Sequence, residues 1–216
     1  MKQRDLTFTF KARFYQLGEI NAFTRQIWFV MHGYGQLAQY FIKKFARLEE
    51  QSICVIAPEG LSRFYLDNLQ GSGRPSDRVG ATWMTRENRL TDIENYISYL
   101  NAIYDALIQN NNTPVTILGF SQGSATASRW ALQQKIKFNR LILWAGILPP
   151  DMDFETGKEI LKDKEVHFVY GTKDPFLNDS RFFEMKMLSE KLHAHVKQHT
   201  FEGGHDIHEE TLMKFI

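Results

Sequence analysis

The chain has 216 residues, 43% of them hydrophobic and 24% charged, the make-up of a soluble globular protein with a substantial core. Lys and Arg number 26 against 25 Asp and Glu, so the formal net charge is only +1, which argues against a dedicated nucleic-acid binder with its usual basic surplus. No apolar run is long enough for a membrane-spanning helix, and the single cysteine cannot form an internal disulfide.

The predicted elements alternate along the chain. Leu6 to Leu17 alternates polar and apolar residues and reads as a strand at a sheet edge. Gln26 to Met31 is a continuous apolar run ending at His32-Gly33, the pattern of a strand buried on both faces. Leu37, Phe41, Phe45 and Leu48 follow at helical spacing. Ile53 to Ala57, closed by Pro58, is the next strand, and it buries Cys54 as a small core residue.

Glu59 to Trp83 reads as a long irregular stretch, polar and rich in breakers from Gly71 to Arg78. A helix pattern resumes at Leu90, Ile93, Ile97, Leu100, Tyr104 and Leu107 and runs out by Pro114. Val115 to Leu118 is a strand, with a helix to about Lys135; Leu141 to Ala145 and Val166 to Tyr170 are further strands. A helix from about Ser180 to Ala194 places Phe183, Met187, Leu188 and Leu192 on one face. Val196 to Phe201 is the last strand and Glu209 to Ile216 the closing helix. Apolar strands alternating with helices imply one α/β domain over residues 1–216: a mostly parallel central sheet flanked by helices on both faces.

Gly119-Phe120-Ser121-Gln122-Gly123 stands between a strand and a helix, the context a G-x-S-x-G nucleophile elbow requires. The serine must sit on a tight turn with its hydroxyl above the sheet edge, and the glycines leave room for the neighbouring strand and helix. A serine nucleophile needs a base, and the base an orienting acid. Asp174, just past the strand Val166 to Tyr170, and His205, just past Val196 to Phe201, both arrive at carboxyl ends of strands, where open parallel sheets bind ligands. Asp179 is the rival acid and His208 the rival base; Asp206 adjoins His205 and would face away from it. His193, His195 and His199 read as surface or capping residues rather than metal ligands, since no Cys or clustered carboxylate accompanies them. The backbone N–H groups of Gln122, after the nucleophile, and of Tyr34, in His32-Gly33-Tyr34-Gly35, are the candidate oxyanion donors. His32 is expected to be structural. Phe64, Trp83, Leu148 and Phe176 are candidate pocket walls.

These segments, with Ala145-Gly146-Ile147-Leu148-Pro149 and Gly171-Thr172-Lys173-Asp174-Pro175, occur in the order of the α/β-hydrolase superfamily. The sequence resembles its phospholipase/carboxylesterase family, which includes acyl-protein thioesterases, from about residue 26 to 210. The resemblance implies a Ser121, Asp174, His205 triad, an oxyanion hole of the Tyr34 and Gln122 amides, small-molecule ester or thioester substrates and no cofactor. Departures are Ser124, where the family commonly has another glycine, and the Glu59 to Trp83 loop, which does not map onto the usual substrate loop. The expected activity is ester or thioester hydrolysis through an acyl-enzyme. The same triad could serve acyl transfer or peptide cleavage, and a non-catalytic binding module on the same fold is the third reading. Too few residues separate Ala145 from Val166 for a separate cap domain, so the Glu59 to Trp83 loop is expected to roof an open site. A cytoplasmic monomer or homodimer, with no nucleic-acid partner, is the default expectation.

Overall fold

A computed structural model describes residues 1–66, 77–108 and 111–216. In chain order the strands are β1 (Phe14–Leu17), β2 (Gln26–Met31), β3 (Ile53–Pro58), β4 (Ser62–Tyr65), β5 (Val79–Thr82), β6 (Val115–Phe120), β7 (Arg140–Trp144), β8 (Glu165–Gly171) and β9 (Val196–Phe201). The helices are α1 (Ala38–Phe41) and α2 (Ala46–Glu49), joined by a 3-10 turn, then α3 (Arg89–Ile108), α4 (Gln122–Ala131), α5 (Phe154–Leu161), α6 (Asp179–Lys191) and α7 (Glu209–Leu212). None of them is long and apolar enough to cross a membrane.

Seven strands form one sheet in the order β1-β3-β2-β6-β7-β8-β9, parallel throughout except for β1, which pairs antiparallel with β3. Side chains alternate across a strand, and the two apolar layers follow from that. Ile27, Phe29 and Met31 of β2 join the core made with Tyr96, Leu100, Trp130 and Leu188 of α3, α4 and α6. Trp28 and Val30, between them, face Phe41, Phe45, Leu48, Leu212 and Phe215 on the other side. Both faces of the sheet are covered, as the unbroken apolar strands require.

The chain departs from the sequence-based expectation in five places. The first strand is only Phe14–Leu17, because its partner β3 ends at Pro58, which pairs with Phe14; Leu6, Phe8 and Phe10 are exposed. The stretch from Glu59 to Trp83 is not wholly irregular: β4 and β5 pair antiparallel, Ser62 opposite Thr82 and Tyr65 opposite Val79. Within the expected loop, Gly71 to Ser76 lie outside the described residues. Helix α4 stops at Ala131, and Gln134 just beyond has a left-handed φ of 55° that no helix continues through. Helix α6 buries Met185, Leu188 and the following Leu192, while Phe183 and Met187 point outward. Finally, an additional helix, α5, occupies the segment between β7 and β8, capped by Asp153, whose carboxylate accepts the Thr156 N–H at 3.1 Å.

The sheet order places the site. β3 and then β1 lie outward of β2 on one side, and from β6 the chain builds the other way to β9. The adjacent carboxyl ends of β2 and β6, with Met31 beside Gly119, form the crevice where such sheets hold ligands.

Candidate active site

Ser121 sits directly between β6 and α4 with φ 53° and ψ −117°. A non-glycine residue there is strained by about 1–3 kcal/mol. The turn is held because Ser121 N–H donates to the Trp144 carbonyl at 2.8 Å and Ser124 N–H to the Ser121 carbonyl at 3.0 Å. The flanking glycines are required by close approach. A Cβ on Gly119 would collide with the backbone of Gly123, and one on Gly123 with the carbonyl oxygens of Met31 and His32. Ser124, where a glycine is common, uses its hydroxyl: Oγ donates to the Gly119 carbonyl at 2.8 Å and ties the helix back to its strand.

Asp174 and His205 meet at the ends of β8 and β9. Thr172 N–H donates to the Phe201 carbonyl at 2.9 Å and Lys173 N–H to the Gly203 carbonyl at 2.8 Å, lacing the two strand ends together. The Asp174 carboxylate is fully buried; Oδ1 accepts the Phe176 N–H at 2.9 Å, and Oδ2 lies 2.7 Å from His205 Nδ1. That contact assigns the Nδ1 proton to the Asp174 side and leaves Nε2 as a base. Phe120 and Phe176 pack on the imidazole at ring separations of 4.9 and 4.7 Å. The rivals take no part in this contact. Asp179 opens α6, Asp206 pairs with Lys44 at 2.7 Å, and His208 stacks on Phe201 while its Nδ1 meets Thr211 Oγ1. Of the three histidines weighed as metal ligands, His193 and His195 are exposed and His199 pairs with His167 at 2.9 Å.

Ser121 and His205 border the same cavity of about 340 Å³. No hydrogen bond joins the serine hydroxyl to the imidazole in this structure. Leu148 and Phe176 line the cavity, together with Gly146, Ile147 and Leu177. Phe64 and Trp83 do not: Phe64 stacks on Tyr34 at 5.1 Å, and Trp83 is buried, its Nε1–H donating to the His32 carbonyl at 2.8 Å. Nor does any described residue from 59 to 83 line it. The β4–β5 hairpin is stitched instead to the loop after β2, with Gly35 N–H donating to the Ala81 carbonyl at 2.9 Å and Ala81 N–H to the Gln36 carbonyl at 3.1 Å.

That loop is braced from below. His32 is completely buried, Nδ1 meeting the Gly33 carbonyl at 2.8 Å and Nε2 accepting the Gly60 N–H at 2.9 Å. Burial pushes its pKa down to about 4, so it stays neutral. Gly33 N–H is taken by Gln36 Oε1 at 2.9 Å. Tyr34, exposed, and Gln122 follow in the two loops, and among the described residues neither backbone N–H has an acceptor.

The profile of the phospholipase/carboxylesterase family matches residues 22–216. The chain belongs to this family of α/β hydrolases. No curated protein sequence matches it. Solved structures share the fold at low identity. Esterase PE8 is 19% identical with a TM-score of 0.66, covering 95% of this chain and 96% of that one. The acyl-protein thioesterase 2 of Zea mays is 15% identical with a TM-score of 0.67 over the same shares of the two chains. The Bacillus cereus carboxylesterase is 17% identical with a TM-score of 0.64, covering 94% of this chain and 91% of that one. This family member is thus a hydrolase.

Among the lining residues that escape the sequence reading is a buried cation, Arg129 on α4. Its signal is its spacing, since Gln122, Ala125 and Arg129 stand three and four residues apart and share one helix face. Burial alone would raise the pKa of its partner Asp151; hydrogen bonds from Arg129 and Arg89 outweigh that and hold the carboxyl below its usual range.

Proposed function

We propose that this family member is a serine hydrolase of carboxylic esters or thioesters, with Ser121 as nucleophile, His205 as base and Asp174 as the orienting acid. The observation that carries the reading is the 2.7 Å contact between Asp174 Oδ2 and His205 Nδ1, with His205 and Ser121 on one cavity. His205 Nε2 takes the Ser121 proton as Oγ attacks the carbonyl carbon. Such contacts commonly tighten only when substrate arrives, which fits the open Ser121–His205 pair. Asp174 keeps the imidazole in the right tautomer and stabilises the cation. The free N–H groups of Tyr34 and Gln122 receive the developing oxyanion, and the positive end of α4 favours the same charge. The carbonyl–oxygen or carbonyl–sulfur bond breaks, His205 gives its proton to the departing alcohol or thiol, and a water activated by His205 releases the acid.

The cavity volume lies near the lower end of ligand sites, which supports small acyl groups. The test is labelling by a fluorophosphonate together with turnover of short-chain esters and thioesters. Wild-type protein is expected to be labelled at Ser121 and to hydrolyse at least one series. Ser121→Ala should lose labelling and at least about 10⁴-fold in kcat. Equal turnover by the pure variant sinks the assignment.

A further inference from the structure

The cavity beside Ser121 is apolar along Ile147, Leu148 and Phe176, yet its wall includes Arg129, which is more than nine-tenths buried. Arg129 Nη2 binds Asp151 Oδ1 at 2.7 Å, and Nη1 contacts the Tyr96 hydroxyl at 3.3 Å. Its Nε has no hydrogen-bond partner. Asp151 is not reserved for Arg129, because its other oxygen is held by Arg89. Two guanidinium groups therefore share one carboxylate, and this cluster carries one positive charge in excess. The other charged pair on the cavity, Arg181 with Glu184 at 2.8 Å, is balanced.

Position along the helix matters as well. Arg129 is on the same helix that begins beside Ser121, and eight residues of helix rise about 12 Å. Helical side chains lean toward the N-terminus, the end of α4 that carries Ser121. Resting on the hydrolase reading above, we propose that this cavity selects acyl groups that end in a carboxylate. The substrates are then half-esters or half-thioesters of short dicarboxylic acids, with the distal carboxylate held by Arg129. The methylene groups lie along the apolar wall. Ser121 Oγ bonds to the ester carbonyl carbon, the bond to the alcohol breaks, and the alcohol leaves with the proton from His205. Water then cleaves the acyl-enzyme to the free diacid. The distal carboxylate is unchanged throughout.

The experiment compares kcat/KM for monomethyl succinate and monomethyl glutarate with their apolar isosteres, methyl 4-methylpentanoate and methyl 5-methylhexanoate. A charge-assisted hydrogen bond in a buried site predicts a preference of about tenfold to a hundredfold for at least one half-ester. In Arg129→Leu that ratio should fall to about one or below, and Arg129→Lys should restore part of it; circular dichroism checks that each is folded. Free glutarate should also slow fluorophosphonate labelling of wild-type Ser121. A wild-type enzyme that labels and turns over the apolar esters equally well or better overturns the inference while leaving the hydrolase reading intact. So does a carboxylate preference that survives in Arg129→Leu. Should that variant not fold, the wild-type ratio and glutarate protection decide. Absence of both labelling and turnover instead removes the hydrolase reading on which the inference stands.

Discussion

Gln122 grips the backbone of Trp83: its Oε1 accepts the Trp83 N–H at 3.2 Å. The same carboxamide donates from Nε2 to the Met84 carbonyl at 3.0 Å and to Thr82 Oγ1 at 2.9 Å. The residue after the elbow serine thus ties the head of α4 to the end of β5. Through the hairpin's bonds to Gly35 and Gln36, it also braces the loop that carries Tyr34. One residue joins the two loops proposed to supply oxyanion donors.

Gln122→Ala keeps the backbone N–H and removes this clamp. Each lost hydrogen bond is worth about 1 kcal/mol, with more where a buried partner is left unpaired. The expected cost is about 2 kcal/mol in stability, with kcat for a short ester falling about tenfold to a hundredfold as the two loops lose their register. Urea denaturation and steady-state kinetics check both, and a variant with unchanged kcat would show that the clamp does not govern the site.

Asp174→Asn preserves shape but cannot favour the required His205 tautomer. Its kcat should drop about 10⁴-fold. Because the Phe176 N–H can still find an oxygen acceptor, the fold should survive, visible as an unaltered circular dichroism spectrum. Asp179→Asn, at the start of α6, should leave kcat within about twofold.

Gly123→Ala tests the close approach of α4 to the loop after β2. A methyl group there meets the carbonyl oxygens of Met31 and His32, so either strand or helix must move. The expected penalty is about 3 kcal/mol or more, or loss of soluble protein. Ala125→Ser on the same helix, facing the cavity, should cost under about 1 kcal/mol. Equal thermal midpoints for the two variants would contradict the packing argument.

Acid should weaken the fold through His32. Its folded pKa is pushed down to about 4 by burial, against about 6.5 when unfolded. Between those values the unfolded chain binds a proton that the folded chain does not, so stability falls as pH drops from about 6.5 to 4 and then levels off. The full span is about 3 kcal/mol. His167, also lowered to about 4 by burial and then by His199, acts in the same direction. In urea titrations His32→Gln should lose less stability than wild type on going from pH 7 to 4.5; parallel pH curves would refute the assignment.

Much of this architecture was legible because its constraints are local. Strands such as β2 and β6 are buried on both faces, and so read as unbroken apolar runs whatever surrounds them. The elbow is legible for a similar reason: Gly119 and Gly123 are demanded by backbone atoms a few residues away or on the neighbouring strand. Less local features were misread. Helix α6 has apolar residues on more than one face, and contact with the sheet, not periodicity, chose Met185 and Leu188 over Phe183 and Met187. The β4–β5 hairpin joins two four-residue strands, one containing Gly80, across a long polar stretch, so no tight-turn signature marks it.

By itself the sequence determined the alternation of strand and helix, the strained serine turn and the candidates Asp174 and His205, because each is written in residues adjacent to where it acts. Tertiary structure alone decided which side chains surround the serine. Trp83 was drawn into the core by its bond to the His32 carbonyl, and Phe64 was carried away on a hairpin anchored to Gly35. Arg129 was brought to the cavity wall with only a shared carboxylate to balance it. A pocket is the sum of contacts between segments distant in the chain, and no local pattern encodes which of them meet.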